Sequence, residues 1–135
     1  MAGSFLDTNI LLYLAGAERA KAARAEQLVA AGGTISVQVL NEISHVARRK
    51  NLLGWAELRD FLGLLRGLLA VVPLDVETHD RGLRLAERYQ VSTYDAMILA
   101  AAIGAGCDTL WSEDMQHDQR IDDRLRIRNP FRPDS

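Results

Sequence analysis

Apolar positions come in two rhythms along this chain: brief apolar or β-branched triplets, and longer stretches where they return every three or four residues. Phe5-Leu6 reads as the end of a buried strand and Ile10 to Leu14 as the start of a helix, with Asp7, Thr8 and Asn9 at the junction. Glu18 to Ala31 is rich in good helix formers, and Gly32-Gly33 stops it. Thr34-Ile35-Ser36 predicts a second short strand. Val39, Leu40, Ile43, Val46 and Ala47 then follow the helical i, i+3, i+4, i+7 pattern over Val37 to Lys50, with Glu42, His45 and Arg49 along an adjoining face. Gly54 to Ala70 predicts a leucine-dense helix and Val71 to Leu74 a strand, which Pro73 ends or places at an edge. Val76 to Tyr89 and the almost wholly apolar Ser92 to Ala105 predict two more helices, the second central. Thr109 to Trp111 predicts a fourth strand and Arg126 to Arg128 a last edge strand.

Short strands alternating with helices point to a parallel sheet covered on both faces. No repeat, low-complexity tract or dividing linker interrupts the pattern, so residues 1–135 are expected to form one domain. Hydrophobic content of 48% and charged content of 25% are those of an ordinary globular protein. The net charge of −2 advertises no global field for nucleic acid, although a carboxylate-rich cation site would mask a local basic face in that total. Cys107 is the only cysteine, which excludes an intramolecular disulfide and a thiolate cluster, and it reads as a small packing residue. The N-terminal run lacks a basic leader and no stretch reaches the roughly 18 apolar residues of a membrane span, so a cytoplasmic location is expected.

Four acids fall at predicted strand ends or helix starts: Asp7, Glu42, Asp95 and Asp114. Each has a purely structural explanation. Asp7 would cap the first helix, Asp95 would complete a capping box with Ser92, Asp114 would cap a turn, and Glu42 would be a surface residue. Their placement at separate junctions argues otherwise, because a parallel sheet brings such points to one edge, where ligands bind. Crowded carboxylates raise one another's pKa, and a divalent cation removes the repulsion. Mg²⁺ and Mn²⁺ favour oxygen ligands, and phosphodiester hydrolysis is the chemistry they support.

Leu6-Asp7-Thr8-Asn9, Val39-Leu40-Asn41-Glu42, Tyr94-Asp95-Ala96 and Leu110-Trp111-Ser112-Glu113-Asp114-Met115 together resemble the ordered signatures of PIN-domain ribonucleases. Within that family the chain is most similar to the VapC toxins of toxin–antitoxin pairs. The resemblance implies a three-layer α/β/α sandwich with a short central parallel sheet and a pocket holding Mg²⁺ or Mn²⁺. It implies that Asp7, Glu42, Asp95 and Asp114 are the pocket carboxylates. Thr8, Asn9 and Ser112 would orient them or touch phosphate, and Asp118 would approach the pocket. Glu113 competes with Asp114 for its role, and the family pattern favours Asp114. The implied activity is endonucleolytic RNA hydrolysis leaving a 5′-phosphate and a 3′-hydroxyl. A VapB-like antitoxin and a second copy of the chain are the implied partners. The alternative is a non-catalytic RNA- or protein-binding domain of the same fold.

His45, His79 and His117 share no metal-ligand spacing and read as surface or helix-face residues. Arg48-Arg49-Lys50 reads either as a solvated helix end or as a phosphate contact flanking the acids. The basic C-terminal quarter (Arg120, Arg124, Arg126, Arg128 and Arg132) reads with equal weight as a phosphate-tracking surface or a solvated face. Leu58, Leu62, Leu65 and Leu69 form one apolar stripe from which Trp55 and Phe61 diverge, and that excess predicts a partner surface or a well-filled core. A phosphoacceptor signalling domain is disfavoured because paired early acids and a nearby lysine are missing. An Asp-x-Asp phosphatase is disfavoured because Asn9 stands at the second acidic place.

Overall fold

Why strands this short form a sheet is answered by their burial. In β1 (Ser4–Leu6) Phe5 and Leu6 are adjacent and therefore point to opposite faces, yet neither is exposed to solvent. Both faces of the sheet are covered there. The computed structural model describes residues 3–133, and its remaining strands are β2 (Thr34–Ser36), β3 (Ala70–Val72), β4 (Thr109–Trp111), β5 (Arg120–Ile121) and β6 (Leu125–Arg128). They form one sheet in the order β3-β2-β1-β4-β6-β5, parallel throughout except where β5 pairs antiparallel with β6. Phe5 lies opposite Leu110 in β4 and Thr34 in β2, so β1 is central.

The helices follow the predicted periodicity closely: α1 (Thr8–Leu12), α2 (Arg19–Ala30), α3 (Val37–Arg49), α4 (Trp55–Leu68), α5 (Val76–Tyr89) and α6 (Thr93–Gly104). Gly32, with φ of +86°, supplies the left-handed turn after α2 that a side chain would resist. Helix α6 is buried at every position from Ala96 to Ile103, which is why its sequence carries no polar stripe. It packs against α5 and three of the strands, making it the centre of one layer. On α4, Leu58 and Leu65 enter the core and Leu62 is half-buried, so most of the predicted stripe is core. Leu64 and Leu68 remain exposed on another face of the same helix.

One expectation is corrected. The final strand is not an edge: β6 lies between β4 and β5, and the edge is the two-residue β5, too short to show a period-2 pattern. Pro73 follows β3, which is the opposite edge strand, as a residue without an N–H requires. Cys107 is a buried free thiol. No helix among the described residues is long and apolar enough to cross a membrane.

Candidate functional site

At the carboxyl edge of the sheet the chain leaves β1 through Asp7, whose N–H still donates to the Trp111 carbonyl of β4 at 3.0 Å. Asp7 is thus held by the sheet while its side chain turns to the helix side. One carboxylate oxygen, Oδ1, accepts the Thr8 N–H at 2.7 Å and begins α1. The other, Oδ2, accepts the Ser112 hydroxyl at 2.8 Å and the Asn9 amide at 3.2 Å. The same Asn9 amide nitrogen donates to Asp114 Oδ2 at 3.1 Å, and Asn9 Oδ1 accepts the Glu113 N–H at 3.1 Å. One asparagine therefore ties the end of β1 to the loop after β4. On the other side the Thr8 hydroxyl donates to Glu42 Oε1 at 2.7 Å, fixing α3 against the same junction. Gln38, buried a turn earlier on α3, donates to the Tyr94 carbonyl at 2.9 Å and so draws in the start of α6. Ser92 caps α6 by accepting the Asp95 N–H at 3.1 Å, and the Asp95 carboxylate faces the space between.

These elements enclose a pocket of about 640 Å³ into which Asp7, Glu42, Asp95 and Asp114 all open. Exposure rises across it: Asp7 is 5% exposed, Glu42 and Asp95 are half-buried, and Asp114 is exposed. Burial pushes the Asp7 carboxyl from 3.8 up to about 6. Its hydrogen bonds from Ser112 and Thr8 oppose the rise, and the charges of Asp95 and Glu42 add to it. Asp95 is also raised, first by burial, against the Ser92 hydroxyl and with help from the Asp114 charge. Mutual repulsion therefore reaches across the pocket.

Whether these groups suit a divalent cation follows from their chemistry. The four carboxylates offer oxygen donors, the kind preferred by Mg²⁺ and Mn²⁺, and a cation would offset the burial and relieve the repulsion that together raise Asp7 and Asp95. Among the described residues no three His, Cys, Asp or Glu side chains stand together as a ready cage. The spread suits an ion that keeps most of its waters and takes one or two carboxylates, as Mg²⁺ does. The residues fit such an ion.

Asp7, Glu42, Asp95 and Asp114 are thus brought together, and Thr8, Asn9 and Ser112 bond to them directly. Asp118 is not brought in. Its backbone takes a left-handed φ of +67°, and its carboxylate bonds to Arg126 at 2.8 Å, away from the pocket lining. Glu113 also turns aside, accepting from both Lys21 and Tyr13. Burial alone would raise its pKa, but these two donors hold it below the ordinary glutamate value. His45, expected as a surface or helix-face residue, is exposed on the α3 face that carries Glu42 and there lines the pocket. Gln38 was overlooked because nothing in its own neighbourhood reveals a partner on α6. The C-terminal arginines do not line the pocket: Arg126 is paired with Asp118, and Arg128 lies 5.9 Å from the Trp111 ring centre.

A mostly parallel α/β sheet with a pocket of four carboxylates at its carboxyl edge defines a class of domain rather than one protein. The PIN domain family matches residues 4–121, and the chain belongs to it. No curated protein matches the chain. Among solved structures, a toxin–antitoxin complex from Klebsiella pneumoniae is similar at TM-score 0.70 and 22% identity, over 95% of this chain and 98% of that one. VapC20 of Mycobacterium tuberculosis, described as a toxin cleaving the sarcin–ricin loop, gives TM-score 0.67 and 20% identity over 82% and 91% of the two chains. DNA-bound VapBC of Salmonella typhimurium gives 0.65 and 21% over 96% and 99%.

Proposed function

We propose that the protein is a divalent-metal-dependent endoribonuclease, the toxin of a VapBC-type pair, using Mg²⁺ or Mn²⁺. The observation that carries this reading is the convergence of Asp7, Glu42, Asp95 and Asp114 on one pocket in a PIN domain. The four carboxylates are the proposed ligands. When bound, the ion supplies Lewis-acid activation of water and neutralises charge on the phosphodiester. Asn9 holds Asp7 and Asp114 at a fixed separation, Thr8 orients Glu42, and Ser112 keeps Asp7 ionisable inside a buried site. Outer hydrogen bonds of this kind fix the orientation of the ligand oxygens.

The toxin assignment draws on the similar VapC and VapBC structures. A VapB-like antitoxin and a second copy of the chain are the proposed protein partners, and exposed Leu64 and Leu68 on α4 offer apolar surface for one of them. The test is cleavage of total RNA by purified protein with Mg²⁺, with Mn²⁺ and with chelator, followed by sequencing of the ends. Metal-dependent internal cuts with 5′-phosphate ends are expected. Asp95→Asn should abolish them with the circular dichroism unchanged. An Asp95→Asn protein that cleaves normally but melts earlier would return Asp95 to a capping role and refute the reading.

A further inference from the structure

The outward face of α3 continues beyond the acidic pocket. His45 walls both that pocket and a second hollow of about 580 Å³, whose other walls are Ser44, Arg48, Arg49 and Trp55. Arg49 and Lys50 also wall a third hollow of about 540 Å³ that returns to Asn9 and Asp114. The acidic pocket is thus continuous, around one helix face, with a basic and aromatic surface.

Trp55 is the first residue of α4 and is 58% exposed. It is nevertheless held: the Arg48 guanidinium lies 4.4 Å from its ring centre, and Arg48 Nη1 is itself fixed by the Leu53 carbonyl at 3.0 Å. The indole is thus backed by a cation while more than half of the residue stays open to solvent. Arg49 and Lys50 are exposed, and no hydrogen bond or ion pair engages the side chain of either among the described residues. Cations at a helix C-terminus are explained by the dipole alone, but the dipole does not explain an ordered, exposed tryptophan beside them.

We infer that Trp55, backed by Arg48, is a stacking platform for an unpaired base of the RNA, with Arg49 and Lys50 holding phosphates of the same strand between the platform and the acidic pocket. The inference rests on the proposed reading of that pocket as the RNA-cleaving centre. A polyanion approaching four carboxylates on a chain of net charge −2 needs local cations, and these are the ones that line the adjoining hollows. Stacking on an aromatic face beside backbone-tracking cations is how single strands are bound, whereas a base paired in a duplex cannot offer its face. A protein partner is the less favoured occupant, because Arg48 lies against this ring and Arg49 shares its hollow, while the exposed leucines of α4 lie further along that helix.

The test is fluorescence anisotropy in chelator with labelled oligouridylate, alone and annealed to oligoadenylate. Trp55→Ala should weaken single-strand binding roughly tenfold and Trp55→Phe much less, with duplex binding unchanged by either. Arg49→Gln should reduce the slope of log affinity against log salt by about 0.7, the loss of one phosphate contact. In cleavage with Mg²⁺, Trp55→Ala should raise KM and leave kcat unaltered, a split that mere loss of folded protein does not produce. Single-strand affinity unchanged in Trp55→Ala would overturn the inference, as would an equal loss for the duplex. Loss of self-association with RNA affinity intact would overturn it too, by making the patch a protein interface. Wild-type protein that neither binds nor cleaves RNA would overturn both this inference and the nuclease reading, whereas intact metal-dependent cleavage with unchanged Trp55→Ala affinity overturns this inference alone.

Discussion

Asp7→Asn separates stability from function at the most buried acid of the pocket. The folded carboxyl titrates near 6 against 3.8 for an unperturbed aspartate. A folded-state pKa above the unfolded one means that stability is fully present below pH 3.8 and is lost as pH rises through about 6. With a pKa rise worth about 1.4 kcal/mol for each factor of ten in acidity, the ionised side chain costs the fold about 3 kcal/mol near neutrality. Asparagine resembles the protonated acid in shape and leaves that cost out. Its second amide hydrogen, however, meets the Asn9 amide that now donates to Oδ2 at 3.2 Å, and an opposed donor pair takes back about 1 kcal/mol. The expected net gain is about 2 kcal/mol at about pH 8 in chelator, falling to zero or slightly below at about pH 4. Urea unfolding followed by far-UV circular dichroism at those two pH values and one between measures it. The same variant should have no metal-dependent cleavage. A variant no more stable than wild type at high pH, or one whose advantage does not change with pH, would refute the account of Asp7 as a carboxylate held at a cost to the fold.

The remaining predictions concern neighbouring groups. Mg²⁺ at about a hundred times its dissociation constant should stabilise the wild type by about 2.7 kcal/mol and Asp7→Asn far less, as read by thermal shift with and without chelator. Ser112→Ala removes the hydroxyl that lowers the Asp7 pKa, so the acidic limb of the cleavage pH profile should move to higher pH. Lys21→Met leaves Glu113 with Tyr13 as its remaining side-chain donor, which should cost about 1 kcal/mol in urea unfolding and reduce kcat by loosening the loop that carries Asp114. Leu99→Ala in the fully buried α6 should cost about 3 kcal/mol, measured the same way.

What the sequence discloses of this protein depends on whether the cause is local. The helices were readable because periodicity and caps lie within each segment: Asp75 and Ser92 each sit three residues before the amide they accept. β1, β2 and β4 were readable because buried triplets carry their own apolar signal. β5 was not, since Arg120-Ile121 becomes a strand only by turning back onto Leu125, a pairing made by the intervening left-handed Asp122 and Asp123. At the site, the acids were readable from their placement at junctions, whereas their wiring was not. Asn9 reaches Asp114 across 105 positions and Gln38 reaches Tyr94 across 56, distances over which no sequence pattern speaks. Asp118, which the resemblance led one to expect near the pocket, lies instead against Arg126, a pairing that the resemblance does not disclose.

The wiring also limits how Asp7 can serve a cation. A carboxylate offers about four lone-pair sites, and three are directed at Thr8, Ser112 and Asn9. Capping and ligation are therefore not rivals: the cap occupies Oδ1 on one side, and what is left to the pocket is about one lone pair. Glu42 is similarly committed, with one oxygen on Thr8 and the other 3.4 Å from the Gln38 amide. Asp95 and Asp114 carry fewer donors and lie nearer solvent, so they have more freedom to move toward an ion. On the proposed reading, Asp7 and Glu42 are the fixed jaw of the site and Asp95 and Asp114 the adjustable one. That division accounts for a pocket in which four carboxylates converge while no three of them form a closed cage.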